Sequence, residues 1–282
     1  MKKIGIIVGK NKDIDYKVTS QITEKLLQKG FEVAVTPEVK AGLSFDVIES
    51  DSVYKDSDFI ICVGGDGTFL KAARGAFPYK KPVLGVNKGT VGFLAEVEPS
   101  EVDMAVDKIF VGEYSIQERI VVNVEVIRNG KSVYSNFAIN DAVVSRMALS
   151  RILRLRVMMN DKFVDSFAGD GVIISTPTGS TGYSLSAGGP IVSPDMRLML
   201  VSPICPHILY SRSFIIAETK TVTGSVAGNS GVDAILTLDG QEGFPIEPDD
   251  IVSIGASKDS AYFASVKQVN FYDVLRAKIH ST

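Results

Sequence analysis

The sequence predicts a parallel α/β domain followed by a mainly β domain, and three observations carry that reading. In the first third of the chain, short apolar runs alternate with segments of helical spacing. Beyond Gly112 the pattern changes to period-two alternation with hairpin turns. At 282 residues the chain has room for one large domain or two ordinary ones, each with its own core.

Taken in order, Lys3 to Val8 (KIGIIV) reads as a buried strand, and Val18, Ile22, Leu26 and Leu27 then fall at helical spacing before a closing Gly30. Phe31 to Val35, Phe59 to Val63 and Pro82 to Val86 are further strands. The last two are separated by a glycine loop and a short helix carrying Leu70 and Ala73. This rhythm gives a Rossmann-like parallel sheet, in which ligands bind beyond the carboxyl ends of the strands. A last helix, SEVDMAVDKIF, starts from an expected Ser100 N-cap and ends before Gly112.

In the second part Val122, Val124 and Val126 alternate with Asn123 and Glu125, and Asn129-Gly130 signals a hairpin. DAVVS, LRVMM, VIIST, SFIIA, AILTL and IVSIG supply more strands, consistent with two packed sheets in a β-sandwich-like domain. The tail NFYDVLRAKI reads as a helix returning to the first domain. The expected division is 1–112 with 268–282 for the first domain and 113–267 for the second.

Composition narrows the function classes. A net charge of −3 with 22% charged residues excludes the basic signature of a general nucleic-acid binder. No run approaches the ~18 apolar residues of a membrane span, and the N-terminal apolar run is too short for a signal peptide. Cys62 and Cys205 are too few for a disulfide scaffold and suit a reducing cytoplasm. With His207 and His280 as the two histidines, there is little from which to build a zinc site, and no residue is expected to be a dedicated metal ligand.

The common nucleotide motifs are absent: there is no GxxxxGK[ST], and GKNKD after the first strand is not GxGxxG. What remains is Gly64-Gly65-Asp66-Gly67-Thr68, between a strand and a helix. Either Asp66 caps the helix or closes an Asx-turn, or it is a carboxylate held beside a hydroxyl nucleophile and a bound polyphosphate. Phe167 to Pro190 (FAGDGVIISTPTGSTGYSLSAGGP) contains a second Gly-Asp-Gly and then a loop dense in hydroxyls and glycines. It is either a polar loop capping a helix near Tyr183 or a grip on sugar and phosphate. Asn140-Asp141 reads as a turn or as a pair holding a ribose or a base edge. Arg154 and Arg156 share a strand face, by default a solvated one, whereas Arg151 has the reach for a phosphate. Asp239-Gly240 is a hairpin turn that leaves Gln241 unassigned, and His207 reads as a structural hydrogen-bonder.

Together GGDGTFL, GVNKGTVGFLAEV, Asn140-Asp141, GDGVIISTPTGSTGYSLSAGGP, PICPH and LDGQ resemble the NAD kinase family across most of the chain. The resemblance implies transfer of a phosphoryl group from magnesium–ATP, or from polyphosphate, to the 2′-hydroxyl of the adenosine ribose of NAD. Magnesium or another divalent cation would come with ATP. By resemblance Asp66 is the catalytic aspartate, with Gly67 at the phosphates and Lys71 a basic phosphate contact. Asn140 and Asp141 hold the adenosine part of NAD, and Arg151 contacts the dinucleotide. Asp170 is a substrate-binding aspartate offered by a neighbouring subunit. Thr181, Gly182, Tyr183, Ser184, Leu185 and Ser186 surround the adenine and ribose, and Gln241 is a further NAD contact. Gly182 departs from the family's usual Ala, and Ala168 occupies a position linked to the choice between NAD and NADH. A homodimer or homotetramer with the site at a subunit junction is implied. Two other readings are a lipid or sphingoid-base kinase sharing GGDGT and a non-catalytic NADP-binding sensor.

Overall fold

The structure is a computed structural model that describes residues 2–89, 92–147, 152–208, 211–226, 233–267 and 270–279. By its contacts the chain divides into two compact units, Met1–Glu118 with Ala261–Thr282, and Arg119–Ser260.

The first unit opens with β1 (Lys3–Val8), α1 (Lys17–Gln28), β2 (Glu32–Val35), α2 (Pro37–Ala41), β3 (Ile48–Glu49) and α3 (Val53–Asp56). It continues through β4 (Phe59–Gly64), α4 (Asp66–Ala76), β5 (Val83–Asn87), α5 (Val102–Val111) and β6 (Ser115–Arg119). Val18, Ile22 and Leu26 bury one face of α1, which Gly30 ends in the left-handed region (φ 81°). One expectation is corrected at α5. Ser100 lies inside a single 3-10 turn at 99–101, and that turn is capped by Glu98 and Glu101 reciprocally. Pro99 explains the shift, because its fixed φ suits the first position of such a turn and moves the cap to the residue before it.

The second unit comprises β7 (Val122–Arg128), β8 (Lys131–Ala138), β9 (Asp141–Arg146), β10 (Leu153–Met159), β11 (Lys162–Gly169) and β12 (Gly171–Ser175). After these come α6 (Tyr183–Ser186), β13 (Leu198–Ile204), β14 (Phe214–Ala217), β15 (Thr221–Val226), β16 (Ala234–Leu238), β17 (Glu242–Ile246) and β18 (Ile251–Ala256). They form two antiparallel sheets, ordered β11-β10-β15-β18-β7-β8 and β14-β13-β12-β9-β16-β17. Val122, Val124 and Val126 from one sheet and Ala142, Val144, Val172 and Ile174 from the other meet in a shared core, so the unit is a β-sandwich. In the second sheet Val143, Ile173 and Ile204 are buried on the opposite face as well, against Ala187. The segment after β12 therefore lies over that sheet.

The chain then returns to the first unit with β19 (Ala261–Ser265) and α7 (Phe271–Ile279). The completed sheet has the order β3-β2-β1-β4-β5-β19-β6, with parallel pairing among the first five strands and between β5 and β19. The chain winds one way from β1 to β3 and the other way from β4 to β5. That reversal puts the carboxyl ends of β1 and β4 at the switch point where such sheets take ligands.

Candidate active site

At that switch point the Gly9 N–H donates to Val63 O (2.9 Å), tying the end of β1 to β4 just before the glycine loop. Asp66 is the first helical residue of α4, whose N-terminal end favours negative charge. Its side chain makes no capping bond. Instead the carboxylate reaches across to the segment after β5 and accepts N–H bonds from Phe93 (2.8 Å), Leu94 (3.0 Å) and Ala95 (3.4 Å). A Cβ on Gly92 would come within 1.9 Å of Asp66 Oδ1, so only glycine allows this approach. A carboxylate offers about four lone-pair directions, which leaves acceptor capacity on the half-buried Asp66. Gly67 and Lys71 are exposed on the same helix.

Two residues beside this loop were not singled out by sequence reasoning. Asn87, at the end of β5, is 1% exposed, and its Oδ1 has no hydrogen-bond partner among the described residues. Lys88 donates its backbone N–H to Gly64 O (3.1 Å) and its Nζ to Asp13 (3.0 Å). Burial would raise the pKa of the Asp13 carboxyl, but bonds from Thr19, Lys88 and Val18 outweigh it and hold the group below its ordinary value. The GVNKG string carried the signal for both.

In the second unit the segment between β8 and β9 is gripped from two sides. The Asp239 carboxylate accepts N–H bonds from Ile139 (3.0 Å), Asn140 (2.6 Å) and Asp141 (3.1 Å). On the other side Ile139 O accepts the Thr176 hydroxyl (2.6 Å), and Asn140 O accepts Thr176 N–H (2.9 Å) and the Ser175 hydroxyl (3.1 Å). Gly179 packs onto the same carbonyl, where a Cβ would sit 2.2 Å from Asn140 O. With its backbone satisfied, this segment still leaves Asn140 Oδ1 buried and unpartnered among the described residues, as is Thr178 Oγ1 beside Gly179. Each buried unpaired polar atom costs about 1–3 kcal/mol in a free protein, a cost that a ligand pairing with it would recover. Beside them Asp141 is 6% exposed; burial first, and then the neighbouring Asp239 charge, push its carboxyl up to about 7.

The remaining expected residues divide by exposure. Gly182, Tyr183, Leu185 and Ser186 are exposed and Thr181 is half-buried, whereas Ser184 is fully buried with its hydroxyl hydrogen-bonded to that of Ser202 (3.1 Å). Asp170 sits between β11 and β12, held by Arg146 Nε (2.7 Å). Gln241 is exposed just beyond the Asp239-Gly240 turn, where both residues have positive φ (53° and 63°). Arg151 lies outside the described residues. Among the described residues no three Asp, Glu, His or Cys side chains gather as a metal cage, and no helix is long and apolar enough to cross a membrane.

Comparison with known proteins gives a consistent set of relatives. The ATP-NAD kinase N-terminal domain family matches residues 4–114, and the ATP-NAD kinase C-terminal domain family matches residues 139–266. The NAD kinase of Acetivibrio thermocellus is 42% identical over 99% of this chain and 98% of its own length. That of Caldanaerobacter subterraneus is 41% identical over 99% of each. Among solved structures, yeast NADH kinase complexed with NADH superposes with a TM-score of 0.90 at 22% identity, covering 99% of this chain and 88% of that one. An NAD kinase from Archaeoglobus fulgidus in complex with ATP superposes at 0.77, also at 22% identity, with 99% of both chains covered.

Proposed function

Since the chain belongs to the ATP-NAD kinase family, we propose a division of labour for its phosphotransfer in which each unit has its own task. The enzyme is an NAD kinase. The reaction carries the γ-phosphoryl group of ATP to the 2′-hydroxyl of the adenosine ribose of NAD. The bond from phosphorus to the ADP oxygen breaks as the new ester forms, and the hydroxyl proton departs. Little covalent chemistry is asked of the protein, so positioning and charge stabilisation dominate.

To Asp66 we assign the hydroxyl proton, which its remaining acceptor capacity orients or receives. The single observation behind this is the Asp66 carboxylate at the N-terminal end of α4, gripped by Phe93, Leu94 and Ala95 yet only half-buried. Gly67, Lys71 and the N–H groups at the start of α4 attract the donor phosphates. Magnesium takes few protein ligands and arrives on phosphates, so the Asp66 carboxylate at this helix end would face it. When bound with ATP it offsets phosphate charge. To the second unit we assign the adenosine part of NAD, through Asn140, Asp141 and the segment Thr181 to Ser186. Gln241 and Arg151 are further dinucleotide contacts, and Asp170 serves the site of a second copy of the chain in a homodimer or homotetramer. The exposed thiol of Cys205 supports a reducing, cytoplasmic setting.

The test is purified protein with NAD and magnesium–ATP, scored for NADP by a coupled dehydrogenase. NADP is expected, and its absence with ATP and with polyphosphate alike would sink the reading. Running NADH in parallel measures the preference associated with Ala168.

A further inference from the structure

The Asp239-Gly240 turn explains why the chain reverses between β16 and β17, but it does not explain why the first turn residue is an aspartate. At φ 53° Asn or Gly serves the turn at least as well. What distinguishes Asp239 is its load. It is 8% exposed, and its two oxygens take the N–H groups of Ile139, Asn140 and Asp141, residues nearly a hundred positions away. The Asp239 N–H also donates to Asp141 O (2.9 Å), so the two segments are locked in both directions. β8 ends at Ala138 and β9 begins at Asp141, so two of the three N–H groups lie outside either strand. Oδ1 accepts all three N–H groups and Oδ2 accepts Ile139 as well, so both oxygens act as acceptors as only a carboxylate's can, and the 2.6 Å bond from Asn140 has the shortness of a charge-assisted one. This clamp leaves the Asn140 side chain over, its Oδ1 buried without a partner among the described residues.

We propose that Asp239 is a positioning residue of the NAD site: it fixes the backbone of Asn140 so that the Asn140 carboxamide meets the dinucleotide in one orientation. This rests on the reading of Asn140 as an NAD contact. Asp239 touches no substrate itself. Loss of its charge loosens one of the two grips on this segment, so the effect falls on NAD and not on ATP or on the chemical step.

The test compares Asp239→Asn, Asn140→Ala and the double variant in the full-length enzyme. Asn has the same shape and tolerates the left-handed region, but it turns an NH₂ toward one of the three N–H groups. Asp239→Asn is expected to raise KM for NAD about tenfold, with kcat changed less than about threefold and KM for ATP unchanged. The double variant is expected to match Asn140→Ala, because both substitutions remove one interaction. If Asn140→Ala raises KM for NAD but Asp239→Asn does not, or if the two effects multiply, positioning by Asp239 is overturned. A purely structural Asp239 would lower the yield of active enzyme and leave KM for NAD intact, which also overturns it. If Asn140→Ala leaves KM for NAD unchanged, the contact reading of Asn140 falls first. Should Asp239→Asn fail to fold, amide exchange in the unsubstituted enzyme decides: slow exchange at Asn140 N–H supports the clamp and fast exchange refutes it.

Discussion

Each of the two units contains an aspartate whose carboxylate collects the N–H groups of three consecutive residues far away in sequence. Asp66 gathers 93–95 and Asp239 gathers 139–141. The device is the same, but its setting differs. Asp66 stands half-buried at the start of an eleven-residue helix, with acceptor capacity to spare. Asp239 is buried in a hairpin turn, and its capacity goes into the clamp. On the proposed assignments, a single arrangement of hydrogen bonds serves chemistry where the carboxylate stays open and geometry where it is closed over.

The largest effect expected from breaking this contrast is at Asp66. Asp66→Asn keeps the shape and one acceptor oxygen, so NAD should still bind by calorimetry while kcat falls about a hundred- to ten-thousandfold in the coupled assay. Near-normal turnover would make Asp66 a clamp like Asp239. Next comes Asp141, whose carboxyl is raised from 3.8 to about 7 by burial and by Asp239. A raised folded-state pKa gives stability that is fully present below pH 3.8 and lost as pH rises through about 7. The ligand-free enzyme should therefore lose up to about 4 kcal/mol between those limits. Asp141→Asn should remove that slope, so thermal melts of the two proteins diverge toward pH 8 with the variant higher. Parallel curves would mean that folding does not raise the Asp141 carboxyl.

A smaller effect tests the second clamp from its carbonyl side. Gly179→Ala forces a methyl to within 2.2 Å of Asn140 O and should cost about 1–3 kcal/mol in urea unfolding, together with a raised KM for NAD. The smallest is Thr178→Ala, which removes an oxygen that has no partner among the described residues. Stability should stay within about 0.5 kcal/mol, while KM for NAD rises a few fold if a ligand uses that hydroxyl. A loss of stability with unchanged KM would show Thr178 to be structural.

Much of this was legible in the sequence because the signals are local. The β-α alternation, the Asn129-Gly130 and Asp239-Gly240 turns and the valine alternation of β7 each depend on neighbours within a few residues. The Ser100 cap failed at that same range, where Pro99 decided the turn. What could not be read depends on partners far away. AYFAS looks like any sandwich strand, and only pairing with β5 puts it in the parallel sheet. Asp66 could be read as a cap because its true partners lie 27 to 29 residues on. The Arg146–Asp170 pair and the Asp239 clamp are silent for the same reason.

The insertion of β19 between β5 and β6 has a consequence for how the chain is made. As the polypeptide emerges from the ribosome, β6 has no neighbour in its sheet until residues 261–265 have been synthesised. Every strand of the two sandwich sheets lies within Arg119–Ser260 and has been synthesised before then. Synthesis therefore makes every strand of the sandwich available before the first unit can complete its sheet, which keeps an open edge until residues 261–265 arrive. A nascent chain stopped short of Ala261 would carry that edge exposed, and it is the species for a chaperone to protect.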